Sequence, residues 1–318
     1  MMNNAEVVVK PHSIITARMD LSPREQDLLT LIMLSVKKEY DKLQFAIEND
    51  DSVNVELIPQ KYTFSKSELI TIFEVDESLF RKKDKQTKTH LLDVACKSLW
   101  DRGIEIRNGN SFILTRLISF ASYDGKTLIM EIPSIMVEEL VNYSKGGMGI
   151  IDYKLLFKLK GKYDKRILEI ISRFKNKRDF SCTIEELCEM VGTKFDSYSS
   201  WRSFSGSVLI VPLKSIVRES KGIWDYKDSK RKGYEIKKKT AGKSFTKDDV
   251  IIFKMKYCED PKGLDLLKEK YNSVLNGSLS SKDELLTLLD DLSKSDLLNK
   301  SNNPEFIKMW AACMASAK

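Results

Sequence analysis

The stretch "WDYKDSKRKGYEIKKK", residues 224–239, sets Lys227, Lys230, Arg231, Lys232 and the run Lys237 to Lys239 among Trp224, Tyr226, Tyr234 and Ile236. Such side chains neutralise phosphates, so the run is either a solvated face or a contact for an acidic partner. Charge along the chain favours the second reading. Residues 145–247 carry a net +13, residues 1–144 carry −4 and residues 248–318 carry −2, making up the +7 of the whole chain. A basic block in an otherwise acidic chain is the electrostatic footprint of a nucleic-acid-binding segment. Upstream in the same block, "SSWRSFSG" groups Ser199, Ser200, Arg202 and Ser203, with Lys194 shortly before them. Arginine and serine bond guanine edges and phosphates, although serines at a helix start also serve as caps. Arg81, Lys85 and Lys88 share one face of an expected helix in the acidic first part, either as a solvated face or as a second DNA contact.

Catalytic chemistry finds little support. "TAGKS" ends like a phosphate-binding loop, but Lys237 stands where the loop needs its first glycine. The chain has two histidines, His12 and His90, too few for a His-x-His metal site, and a Ser-His-Asp site is improbable. His90 is followed three residues later by Asp93, where a tyrosine recombinase needs arginine. The five cysteines form no CxxC pair and are odd in number, so free thiols are expected rather than disulfides or zinc. We therefore expect no enzyme activity, cofactor or metal. The sequence shows neither a secretory start nor an apolar run of about 20 residues, so no membrane association and a cytoplasmic location are expected.

The elements that must position these residues read as α+β. Residues 1–20 lack periodicity and are expected to form an N-terminal arm. "LSPREQDLLTLIMLSVKKEY" starts a helix capped by Ser22 with Pro23 at its first position. A strand "KYTF" and a helix "SKSELITIF" follow, then a helix over 76–101 and strands "GIEIRN", "SFILTRLISFAS" and "TLIMEIP". After a short helix near 134–143, "SKGGMGI" suggests a flexible boundary. The order then repeats: a helix in "KYDKRILEIISRFK", a strand "FSCTI", a helix capped by Thr183 and ended by Gly192, a helix over 198–220 bent at Pro212, and strands at 224–227, 234–238 and 250–257. Two tandem winged helices, each a helix-turn-helix followed by a β-hairpin, account for this order. The expected organisation is an arm at 1–20, a first winged helix at 21–144, a second at 145–257, and a helical C-terminal extension at 258–318. Lys230, Arg231 and Lys232 would form the second hairpin tip. The tail segment "KDELLTLLDDL" reads as an amphipathic acidic helix, packed locally or docked on a partner.

"YDKRILEIISRFKNKRDFSCTIEELCEMVG", "WRSFSGSVLIVPLKSIVRES" and "KRKGYEIKKK", in that order, resemble the second winged helix of the initiator proteins of iteron-containing plasmids. "LSPREQDLLTLIMLSV" and "HLLDVACKSLWDRGIEI" are similar to the opening and third helices of the first. The resemblance covers about residues 5–257, and the sequence departs from the pattern in a longer wing, "KKKTAGKSFTKDD", and in its tail. It implies binding to double-stranded DNA with direct repeats, help in opening an AT-rich origin, and recruitment of the host replication initiator and helicase. It also implies a homodimer, joined through the first winged helix, in equilibrium with a DNA-binding monomer, and autorepression by the dimer. A winged-helix transcriptional repressor without initiator activity, and a scaffold whose basic domain binds RNA, remain alternatives.

Overall fold

Helix starts follow from local chemistry. Ser22 with Glu25, Ser65 with Glu68, and Thr183 with Glu186 each exchange side-chain and backbone hydrogen bonds, satisfying amide N–H groups that the first turn leaves open. The computed structural model describes residues 7–16, 20–46, 54–83, 89–108, 111–141, 147–175, 179–228, 230–240 and 244–258, with isolated helical residues Glu269, Ser273 and Thr287. Contacts divide the chain into a unit ending at Tyr257 and a second from Cys258 onward. In the second unit the Ser273 hydroxyl donates to the Glu269 carbonyl at 3.0 Å, and "KDELLTLLDDL" otherwise lies outside the described residues.

The first unit opens with β1 (Val7–Pro11), α1 (His12–Thr16), α2 (Pro23–Ala46), β2 (Lys61–Ser65), α3 (Lys66–Phe73) and α4 (Leu91–Asp101). It continues through β3 (Gly103–Asn108), β4 (Ser111–Arg116), β5 (Phe120–Tyr123), β6 (Thr127–Glu131) and α5 (Ser134–Val141). Next come β7 (Met148–Asp152), α6 (Tyr153–Lys158), α7 (Lys162–Arg173), β8 (Phe180–Thr183), α8 (Ile184–Val191), α9 (Trp201–Ser205) and α10 (Val211–Glu219). It closes with β9 (Trp224–Tyr226), β10 (Tyr234–Lys237), β11 (Val250–Phe253) and β12 (Met255–Tyr257). The sheets show the duplication. β2, β6 and β5 pair in that order, and β8, β11 and β10 pair in that order. In both, a strand leads into helices and then a hairpin, whose second arm returns to pair with the first strand. That is the winged-helix topology, present twice.

Several expectations need correction. The arm contains β1, which is buried throughout and pairs antiparallel with β7, so the "SKGGMGI" boundary is partly strand. Val9 pairs with Ile150, the central residue of each strand, so a local two-fold relates them. Both faces of β1 are covered, which is why its sequence shows no alternation. The expected strand over 111–122 breaks at Leu117 and Ile118, both buried, where the chain leaves the β3–β4 ribbon for the β5–β6 hairpin. The expected helix over 76–101 is a 3-10 turn at Glu77–Arg81 followed, after a Lys83–His90 bridge, by α4. Its polar first half has no apolar stripe to bury, and short helices depend on such packing.

α2 and α7 meet through charges. Lys10 donates to Glu169 at 2.5 Å and to Thr30 at 2.8 Å, and Arg166 donates to the other Glu169 oxygen at 2.5 Å. Arg166 also donates to the carbonyls of Ile15 and Met190, both at 2.7 Å. Lys165 bonds Asp27 at 2.6 Å and the Leu156 carbonyl. Burial pushes the Glu169 carboxyl up, but Lys10 and Arg166 outweigh it and hold the group below the ordinary glutamate range. Burying such charges without partners costs several kcal/mol each, so the network ties the two winged helices in one arrangement.

Candidate nucleic-acid interface

The second helix-turn-helix is anchored by aromatic packing. Phe204, fully buried, takes the rings of Phe195 and Tyr198 at 5.2 Å and of Trp201 at 5.6 Å. The Tyr198 hydroxyl meets that of Tyr163 on α7 at 2.9 Å. Gly192 ends α8 in the left-handed region at φ +68°, a conformation glycine adopts without strain. Ser200 accepts from the Ser203 amide at 3.2 Å, so this serine does cap α9. Lys194, Ser199, Arg202 and Ser203 are exposed, and among the described residues Arg202 has no side-chain partner.

The helix expected over 198–220, which occupies the place of the recognition helix in a helix-turn-helix, begins at Trp201 rather than near Tyr198, and the bend expected at Pro212 is a π turn, Gly206–Ile210, lying between α9 and α10. Proline lacks an N–H and its ring crowds the carbonyl four residues back; the wide turn, closed by the Val211 amide on the Gly206 carbonyl, removes that clash. Phe204, Val208, Leu209, Leu213 and Ile216 are buried, while Ser203, Ser207, Val211, Lys214 and Arg218 form an exposed stripe.

The wing is not where the sequence suggested. β9 and β10 do not pair with each other: β9 pairs with β12 and β10 with β11, so both lie along the single course 250–257. Residues 228–233 are therefore an excursion from one interrupted strand, and Lys230, Arg231 and Lys232 sit exposed on that loop rather than at a hairpin tip. Asp228 holds the loop by accepting from the amides of Lys232 at 2.9 Å and Gly233 at 2.6 Å. Partial burial raises its carboxyl, but these amides prevail and keep it below the ordinary aspartate range. Gly233 returns the chain at φ +76°, where a Cβ would stand 2.7 Å from Met255 Sδ. Trp224 is buried, whereas Tyr226, Tyr234 and Ile236 are half-buried. Lys227 reaches Asp179 at 3.9 Å, which pulls it toward the sheet.

The hairpin tip is the segment 238–249 between β10 and β11, of which 241–243 lie outside the described residues. Asp249 accepts from the amides of Lys239 at 2.8 Å and Thr246 at 2.9 Å, and these bonds hold its carboxyl below the ordinary range. Phe245 stacks on Trp201 at 4.3 Å, Lys238 lies over the Phe245 ring at 4.2 Å, and Lys247 pairs with Asp196 at 2.8 Å. The wing is thereby fixed against the start of the recognition helix. Phe245 and Lys214 escaped the sequence reading, which met Lys238 and Lys239 only as part of the basic run 237–239, and nothing local marked Phe245.

The first helix-turn-helix differs. Its third helix, α4, exposes Asp93, Lys97, Trp100 and Asp101, with no basic stripe. A cleft of about 370 Å³ lies beside it, lined by Cys96, Trp100, Phe120 and Tyr123 among others. Arg81 is exposed and pairs with Glu77 at 3.5 Å on a 3-10 turn, and Lys85 and Lys88 lie outside the described residues. Cys96, Cys182 and Cys188 are free and buried, and burial pushes their thiols up to about 12, 12 and 11; Cys313 lies outside the described residues. Among the described residues no group of three His, Cys, Asp or Glu could hold a metal ion, and no helix is long and apolar enough to cross a membrane.

Comparison with known proteins places the chain. The family model described as "Initiator Replication protein, WH1" matches residues 7–172, more than half of the sequence. The chain belongs to the initiator replication protein family. The matched span runs from β1 into α7, and so includes the β1–β7 pairing. Among solved structures, that of the Pi initiator protein in complex with iteron DNA is similar, with a TM-score of 0.55 and 14% identity over 81% of this chain and 100% of that one. At that identity the likeness is one of fold. Curated proteins give no match.

Proposed function

We propose that this initiator binds repeated double-stranded DNA sites at a plasmid origin through its second winged helix, residues 145–257, without catalysing a reaction itself. The observation that carries the reading is the wing stacked on the start of a recognition helix whose outer stripe, Val211 apart, is polar and basic, inside the +13 segment. Arg202 enters the major groove, and Lys214, Lys238, Lys239 and the 230–232 loop neutralise phosphates. The fold likeness to an initiator in complex with iteron DNA supports binding of repeated duplex sites.

The first winged helix, residues 21–144, faces protein: its third helix is acidic and aromatic outside, and Phe112, Leu114 and Phe120 are exposed nearby. It joins a dimer in equilibrium with the DNA-binding monomer. Origin opening, recruitment of the host replication initiator and helicase, and autorepression by the dimer complete the proposal through the family resemblance. Competition tests its core. The full chain should prefer a duplex origin fragment over single-stranded DNA and RNA of the same sequence, and log affinity should fall with log salt by about 0.9 per phosphate neutralised, over several phosphates. Equal binding to all three would sink the reading.

A further inference from the structure

On the outer stripe of the recognition helix, Ser203, Ser207, Lys214 and Arg218 can bond or pair with a polar ligand, but the residue at the centre, Val211, cannot. Val211 is 59% exposed, whereas its neighbours Leu209, Pro212 and Leu213 are buried. A β-branched side chain there forfeits helix propensity relative to alanine and gains little packing within the chain. The turn before it is built from small residues: at Gly206 a Cβ would meet nothing within 4 Å, and Ser207 is short. A groove wall can therefore come close to the helix backbone just ahead of Val211. The π turn and the buried Pro212 set the direction, because they turn the apolar side of α10 inward and leave Val211 outward beside Lys214.

We infer that Val211 is a specificity-determining residue that packs against the C5-methyl group of a thymine in the major groove, between phosphate contacts made from the polar residues on either side. The methyl is the one apolar group a base pair presents on that edge, and it is the feature that marks thymine there. The inference rests on the proposed function, since it needs the recognition helix in the groove.

The test uses the full chain and the duplex that it selects from a random pool. Each thymine of that duplex is replaced singly by uracil, which removes the methyl and leaves the pairing unchanged. Wild type should lose about fourfold in affinity at one or two of these positions, the worth of one buried methyl. Val211→Ala should bind the unmodified duplex more weakly by a similar factor and be indifferent to uracil at those positions, while Val211→Ile keeps the discrimination. Alanine favours the helix, so the fold is retained, and an unchanged urea midpoint checks it. Uracil costing wild type and Val211→Ala the same factor at every position, or Val211→Ala binding as wild type does, would overturn the inference alone. A protein that selects no duplex would overturn the proposed function, and this inference with it.

Discussion

Replacing Phe245 with alanine removes the contact that holds the wing against the recognition helix. The Phe245–Trp201 stack, at 4.3 Å and 22° between planes, is worth about 0.5–1.5 kcal/mol beyond its buried area. The Lys238 ammonium over the same ring adds about 0.5–1 kcal/mol at a partly exposed site. Together about 1–2.5 kcal/mol keeps the wing in place before DNA arrives, and without it that ordering must be met on binding. The corresponding loss of affinity is about 5-fold to 60-fold. Asp249 and the Lys247–Asp196 pair remain, so the wing is loosened rather than freed and the outcome should lie near the lower end, about tenfold. Fluorescence anisotropy with a labelled origin duplex at fixed salt measures it, with Phe245→Tyr as the control that restores stacking. If Phe245→Ala binds within twofold of wild type, the wing is not held for DNA and the reasoning fails.

Alanine at Lys230, Arg231 and Lys232 together should weaken binding to all duplexes alike and flatten the salt slope by up to about three contacts; an unchanged slope would remove the loop from the interface. Arg202→Ala should cost about 1–3 kcal/mol on the selected site and much less on random DNA if it reads a base, and equal losses would make it a phosphate contact. Glu169→Ala leaves Lys10 and Arg166 buried without their carboxylate and should destabilise the fold by about 3–5 kcal/mol in urea titrations; a loss under 1 kcal/mol would mean that the network is not structural. Because the folded Glu169 carboxyl titrates below its ordinary value, its contribution is present above the unfolded pKa and lost as pH falls through the lowered folded one. Wild-type stability should therefore decline in acid more steeply than that of Glu169→Gln, and parallel profiles would contradict the assignment.

What the sequence made legible is local. The Ser22 and Thr183 caps, the apolar periodicity of α2 and α7 and the repeated order of elements depend on residues a few positions apart, and the structure has them all. What it hid is non-local. Nothing near Val7 indicates that its partner is Asp152. Two lysine- and glycine-containing turns, at 228–233 and 238–249, compete for the role of wing, and the choice rests on their pairing with the course 250–257. The position of Arg202 and its serines at a helix start inside the basic block was legible, because the serines and the apolar spacing from Phe204 onward are local. Phe245 was not, since its meaning depends on Trp201 more than 40 positions earlier.

The most direct test of the central claim is footprinting of the full-length protein on the DNA beside its own gene. The account predicts several direct repeats next to an AT-rich stretch, each protected over roughly 10 base pairs, about one helical turn for the second winged helix alone. A single inverted repeat over the promoter, with no repeats protected elsewhere, would contradict it and leave a repressor.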